Sequence, residues 1–487
     1  MPSDTACADG ICVLTVGSNV ILAKGKNQIV KPIRYLTTEK SKSQIYRDLE
    51  LDDLEDAEEI VIEILNRRSQ VERKVKEETE ETEPKEFLPE CKEKALLLLK
   101  QPDILEKFIQ HSNKWLVMDE PTRKIELLTC ISALGTYPIN LSLQQTWSSG
   151  KTTTIVATSK YFESQDVWSL AGLTPKGLIH QRGVYDTEKE AFIVNMEKKI
   201  LIFLDEPQFE TLITLKPLLS RDKYEITYKY VDANMETVTS ILRGFPSAVF
   251  CSVKSKYTEE FTSRWLTASP STDPTKIRKV LQQKADRKTS PEKYEEDEEF
   301  YVWQKAFNIL KEQFPIKVVV PFAKTFEPFF RAKRPVDMRF FDLFMALIEA
   351  TTILHAYQRQ KDDKERLIAT SQDYEIAYSI FKEIEKPTVY GVGQDVLDFY
   401  ETIILPCTEN NAFTNYQELA RKYIELYETP INQNHMHDHF LTPLEAKGLV
   451  SIDTDPTDKR RKLISASGAL PQISLIDNEG YMEETRN

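Results

Sequence analysis

Trp147-Ser148-Ser149-Gly150-Lys151-Thr152-Thr153 and, later in the chain, Lys199-Ile200-Leu201-Ile202-Phe203-Leu204-Asp205-Glu206-Pro207 are the stretches whose reading decides the fold. A Gly-Lys-Thr after small residues is the core of a phosphate-cradling loop. Backbone N–H groups hold the phosphates, the lysine reaches the terminal ones, and the threonine hydroxyl binds Mg²⁺. The second stretch is an apolar strand ending in two acids. Asp205 suits a metal, and Glu206 suits a water polarised for attack on phosphate. Ser148, Ser149, Gly150, Lys151, Thr152, Thr153 and Asp205 are therefore candidate nucleotide contacts, with Thr152 and Asp205 the Mg²⁺ ligands and Glu206 catalytic. Together the two stretches read as a nucleotide hydrolase built on an α/β fold.

The context of each motif supports this. Gly-Lys-Thr follows the apolar run Ile139–Leu143 and precedes Thr154-Ile155-Val156, so a strand, a loop and a helix are expected in that order. The usual loop opens on a glycine five residues before the second glycine, and Gln145 stands there instead. A surface Ser-Ser-Gly turn with an incidental lysine is the competing reading of the first motif. An ordinary strand end capped by acids is the competing reading of the second. The unbroken apolar run before Asp205 fits a strand buried on both faces of a parallel sheet.

Composition narrows the class. The chain has 487 residues, 41% hydrophobic and 29% charged, enough for several domains and a sizeable core. No apolar run reaches the length of a bilayer span, and no export signal is read at the start, so no membrane partner is expected. Cys7, Cys12, Cys91, Cys130, Cys251 and Cys407 lack Cys-x-x-Cys spacing, which reads as a reduced cytoplasmic protein without a zinc module. A net charge of −13 argues against a protein that coats nucleic acid, but not against basic surface confined to a pore or one domain.

The pattern divides the chain into seven parts. Residues 1–40 read as a small β unit, alternating from Val13 to Leu36, and 41–90 as an acidic helical and linker segment. Residues 91–138 are a helical lead-in, and 139–270 the nucleotide-binding core. Residues 271–388 are helical, with Met338–Gln358 and Ser371–Ile384 as expected helices and Glu385-Lys386-Pro387 marking a boundary. Residues 392–470 carry three helices and two short strands, the order of a winged helix-turn-helix. Residues 471–487 read as a loose tail.

Between the two motifs, Asp186-Thr187-Glu188-Lys189 separates apolar runs, which predicts a hairpin. A second hairpin is expected from Tyr224–Tyr230 returning through Thr237–Ile241, and then Pro246–Ser252 as a buried strand ending on a hydroxyl. Ser263-Arg264-Trp265 follows. With these features the chain resembles AAA+ ATPases of the hairpin-bearing clade that contains the minichromosome-maintenance helicases, and is most similar to divergent members from archaeal viruses and plasmids. The resemblance covers roughly Cys91 to Ser467. It implies an AAA+ P-loop parallel-sheet core with a helical lid, ATP as the nucleotide, a hexameric ring and DNA as the polymer. It also implies a sensor at Ser252, an arginine finger at Arg264 and a sensor arginine at Arg339, ten residues before Glu349-Ala350. The second hairpin turns at Asp232-Ala233-Asn234-Met235 where the family often has a basic tip, and the sensor is serine rather than asparagine.

DNA contacts are expected in two places. Lys189 on the first hairpin, with Lys223 and Lys229 on the flank of the second, would line a ring interior. Asn434 and His435 begin the third helix of the C-terminal module, and Lys459-Arg460-Arg461-Lys462 form its wing. A solvated charge run is the alternative for the wing. His435, His437 and His439 lack the partner spacing of a metal site. Three activities stay open: a DNA helicase motor, a DNA-binding initiator or switch that does not unwind, and a remodelling or packaging motor. The neutral hairpin tip favours the second over the first, and the two hairpins favour the first over the third.

Overall fold

A computed structural model describes residues 5–8, 11–16, 19–24, 27–32, 47, 89–145, 150–172, 177–179, 183–205, 207, 209–231, 237–252, 259–271, 273–409, 413–471 and 474–485. Ser148, Ser149, Glu206, the hairpin tip Asp232–Glu236 and nearly all of the acidic segment 41–90 lie outside the described residues. The chain divides into two compact units, the first made of residues 1–86, 175–196 and 223–244, the second of the remainder.

The first unit contains two four-stranded sheets. Thr5–Ala8, Ile11–Val16, Asn19–Lys24 and Asn27–Pro32 form an antiparallel meander in sequence order, larger than the hairpin expected there. The second sheet holds both expected hairpins. Val184–Asp186 pairs with Ala191–Asn195, and Glu225–Val231 pairs with Thr237–Arg243, both antiparallel. The two inner strands then pair with each other in parallel, Ser240 opposite Phe192 and Leu242 opposite Val194. Sequence alternation foretold the hairpins; that they share one sheet is a tertiary fact.

The second unit is built around five parallel strands, numbered here along the chain: β1 (Asn140–Gln144), β2 (Val167–Leu170), β3 (Ile200–Phe203), β4 (Ser247–Ser252) and β5 (Leu266–Ala268). Their order across the sheet is β5-β1-β4-β3-β2. Every residue of β1, β3 and β5 is buried, as strands covered on both faces must be. Helices Pro89–Leu99, Ile104–Ser112 and Glu120–Ser132 precede the sheet, which accords with the helical lead-in. Arg123 ties that lead-in together from inside: it is fully buried, and its guanidinium donates to the Ile109 carbonyl (2.6 Å) and to Asn113 Oδ1 (2.8 Å).

Helices Pro274–Thr289, Glu298–Lys311, Pro335–Leu354 and Ser371–Tyr390 follow the sheet. The last does not stop at Pro387 as expected. That proline removes one amide donor from the final turn, and the helix ends only at Gly391, whose φ of +64° suits the left-handed cap. Residues 392–470 have their own core, with Leu397, Tyr400, Leu419, Met436, Leu441 and Ile464 fully buried. Helices run through 394–408, Tyr416–Tyr427 and 433–446, and Val450–Thr454 pairs antiparallel with Lys462–Ala466.

The expectation of a loose tail is corrected over its described part. Leu475, Ile476 and Tyr481 are buried, and Ile476 forms a β-bridge with Phe330. The Tyr481 ring packs among Phe326, Phe329 and Tyr374, and Tyr374 Oη donates to Asn478 (2.9 Å). A polar composition hid three apolar anchors.

Candidate active site

All five strands are parallel, so their carboxyl ends share one edge, the edge at which open α/β sheets bind ligands. The phosphate-loop motif sits there. Gly150 has φ +97°, a conformation only glycine adopts freely, and helix Lys151–Ser159 starts at the next residue. The first amides of a helix have no partner within it and carry partial positive charge, which suits an anion. Thr152 and Thr153 are exposed in this first turn.

Lys151 is buried, and its Nζ donates to the Gln145 carbonyl (2.7 Å). Burial pushes its pKa below the ordinary lysine value, while the Asp395 carboxylate and the Cys251 thiol oppose that fall. Gln145 itself is buried, with its side-chain amide donating to the Pro270 carbonyl (2.9 Å). The residue that replaces the expected glycine is thus a packed anchor just after β1.

The Asp-Glu strand delivers Asp205 to the same edge. Asp205 is exposed two residues past the end of β3. The two motifs converge on Cys251 of β4. Burial above all, with the Glu126 and Asp205 carboxyls, raises this thiol to a pKa of about 12 against a hydrogen bond with Thr152 and the charge of Lys151. The charges of Lys151 and Asp205 thus both act on one buried sulfur, which lies on the strand between those that carry the two motifs. Ser252 ends β4 in register with Gln144, at the level of the phosphate loop.

Beneath the helix lies a residue that sequence reading missed. Glu126, from helix Glu120–Ser132, is fully buried and accepts hydrogen bonds from Thr154 Oγ1 (2.7 Å) and Thr158 Oγ1 (3.3 Å). Burial lifts its pKa to about 8 against the pull of those two bonds. A lone acid within the apolar run Ile125–Ile131 was the available signal.

The two arginines lie elsewhere. The Arg264 carbonyl accepts from Asn140 Nδ2 (3.3 Å), and Asn140 is the first residue of β1. Arg264 is thus at the amino edge of the sheet, about 16 Å from the phosphate loop for five residues of strand. Its Nε donates to Ser220 Oγ (2.6 Å), and its Nη1 is buried without a hydrogen-bond partner. Burial, then the like charge of Arg339, depress its pKa. Arg339 Nη1 donates to Ser263 Oγ (2.7 Å), so both arginines share this edge, while Trp265 is buried against Phe250.

Of the candidate DNA contacts, Lys189 is engaged by Glu225 (2.8 Å), which also takes Arg243 (2.6 Å). Lys223 and Lys229 are exposed. In the C-terminal module Asn434 is exposed, His435 stacks on His439, and Lys459, Arg460, Arg461 and Lys462 are exposed at the turn of the hairpin. The histidines part company: His437 meets Tyr416 Oη (2.8 Å) and His439 meets Asp395 (2.6 Å). No family model matches the chain, and no curated protein matches it.

Proposed function

We propose that the chain is an ATP hydrolase of the AAA+ type that works as a ring on DNA, most simply as the replicative helicase of an archaeal virus or plasmid. The observation that carries this reading is the placement of Lys151, Thr152 and Asp205 at the carboxyl ends of β1 and β3, which flank β4 in one parallel sheet. The donor set fits Mg·ATP: an ammonium and first-turn amides for phosphate, a hydroxyl and a carboxylate for the metal. Thr152 and Asp205 would hold Mg²⁺, which would neutralise charge developing on the phosphate. Lys151 withdraws from the Gln145 carbonyl to meet phosphate. Glu206 orients water, and Ser252, at the end of the adjacent strand, completes the polar wall.

Arg264 and Arg339 support a ring. From the amino edge, neither reaches a nucleotide on its own chain's phosphate loop, whereas a neighbouring chain can present its loop to them. Arg264 Nη1 has no hydrogen-bond partner within the chain and, once uncovered, would suit a γ-phosphate. The exposed cations at 459–462 and the three-helix-and-hairpin order favour a winged-helix contact with DNA phosphates.

A second reading has one observation in its favour. Lys189 is neutralised by Glu225 within the hairpin sheet, which leaves that hairpin less basic than a translocating loop needs. An initiator or switch that assembles on DNA without unwinding it accommodates this. Strand displacement on forked DNA, with Glu206→Gln as the control that binds ATP without cleaving it, separates the two. Duplex unwinding driven by hydrolysis supports the helicase, and DNA-stimulated hydrolysis without unwinding supports the switch. Absence of any ATP turnover overturns both.

A further inference from the structure

The entry to the C-terminal module crosses the carboxyl edge of the parallel sheet. Thr388, in the last turn of helix Ser371–Tyr390, accepts from the Thr267 amide through Oγ1 (3.0 Å). The Gln394 amide donates to Ser269 Oγ (2.9 Å). Gly393 lies so close to β1 that a Cβ there would stand 3.2 Å from the Gln144 carbonyl oxygen. These contacts hold the segment Gly391–Asp395 at the carboxyl ends of β1 and β5.

Asp395 follows directly. Its side chain is only 9% exposed, and its two oxygens are used unequally. Oδ2 lies 2.6 Å from His439 Nε2, while Oδ1 is buried without a hydrogen-bond partner. Its charge is felt at Lys151, where it opposes the effect of burial. A buried carboxylate with one oxygen unpaired thus follows a segment packed on Gln144, next to the Gln145 carbonyl that holds the ammonium the phosphate-loop reading reserves for phosphate. Two anions in a poorly solvated place repel strongly, and one ammonium cannot neutralise both.

We infer that Asp395 is a resident competitor of nucleotide phosphate, set in the field of Lys151 when no nucleotide is bound and driven off when phosphate arrives. This rests on the phosphate-loop reading above. Gly391, at φ +64°, and Gly393 flank Val392 and supply the joint about which the segment moves. The carboxylate is tied through His439 to the helix that carries Asn434 and His435. Nucleotide at the loop and DNA at the module are then linked, and the linkage is reciprocal.

The test is calorimetric titration of the full chain with Mg·ADP, for wild type, Asp395→Asn and Asp395→Ala, beside hydrogen exchange at amides 391–399 with and without ADP. Both substitutions are expected to tighten ADP by about fivefold or more, the low end of ordinary site-to-site couplings. ADP should raise exchange at those amides in wild type and much less in either variant. A purely structural carboxylate predicts the opposite pattern: lower thermal stability in both variants with ADP affinity unchanged or weaker. That result, or wild-type exchange indifferent to ADP, overturns the inference while leaving the nucleotide site intact. If wild type binds no ADP at all, the phosphate-loop reading falls and this inference with it.

Discussion

The two edges of the parallel sheet are made differently. At the carboxyl edge, Lys151, Thr152, Asp205 and Cys251 come from three segments distant in sequence, brought to one side of the sheet by the pairing of β4 with β1 and β3. At the amino edge, Arg264 and Arg339 sit among hydroxyls, Ser220 and Ser263, and press on one another. One edge gathers opposite charges suited to a metal nucleotide. The other sets two like charges side by side. The strands between them keep the two apart within one chain, so that on the proposed reading each edge meets the other only across neighbouring chains.

The comparison breaks most sharply on Lys151→Ala. Hydrolysis is expected to fall to background, because the ammonium that meets phosphate at the carboxyl edge is gone; ATP turnover at the wild-type rate would remove that edge from the chemistry. Arg264→Ala comes next. An arginine finger contributes about 10³–10⁵ in rate where it has been dissected. A mixture of Arg264→Ala and Lys151→Ala chains should recover measurable turnover, since one supplies an intact loop and the other an intact arginine. No recovery, or an active monomer, would end the claim that the edges meet between chains.

Neutralising Lys459, Arg460, Arg461 and Lys462 tests whether DNA belongs to neither edge. Every phosphate that these cations no longer neutralise should lower the salt slope of DNA binding by about 0.9. Basal hydrolysis should stay unchanged. Equal salt slopes for variant and wild type would make the run a solvated turn.

The smallest effect is on stability and separates the edges by pH. Glu126 lies beneath the phosphate-loop helix with a pKa of about 8, and Glu349, which interacts with Arg221 near the amino edge, has a pKa of about 7. Both values are raised by burial above the ordinary carboxylate range, so the native state holds these protons more tightly than the unfolded chain does. Stability should therefore be greatest in mild acid and fall as pH rises toward 8, by at most about 1.4 kcal/mol per pH unit for each group. Glu126→Gln keeps the shape and should flatten the upper part of that fall in thermal melts at pH 5 to 9. An unchanged profile would mean that Glu126 is ionised in the fold.

Much of the carboxyl edge could be read from local pattern. Gly150-Lys151-Thr152 after an apolar run, and four apolar residues before Leu204-Asp205, specify a loop and a buried strand through backbone geometry and burial alone. Strand β2 was not legible. Val167–Leu170 is four residues long and half-buried at the sheet edge, too short to show a period. The extension of helix Ser371–Tyr390 past Pro387 was hidden because its stability comes from packing against β5, which outweighs the local preference to stop.

The sequence by itself determined the longer elements, the chemical types at the two motifs and the overall acidic balance, because these follow from local periodicity and charge. The tertiary structure decided what meets what. It joined two hairpins in one sheet, set Arg264 and Arg339 at the far end of the strands from Lys151, buried Glu126 under the phosphate-loop helix and brought Asp395 beside that loop. Such pairings depend on strand order and on which surfaces must be buried together, and no period of two or 3.6 residues encodes a contact between positions 151 and 395.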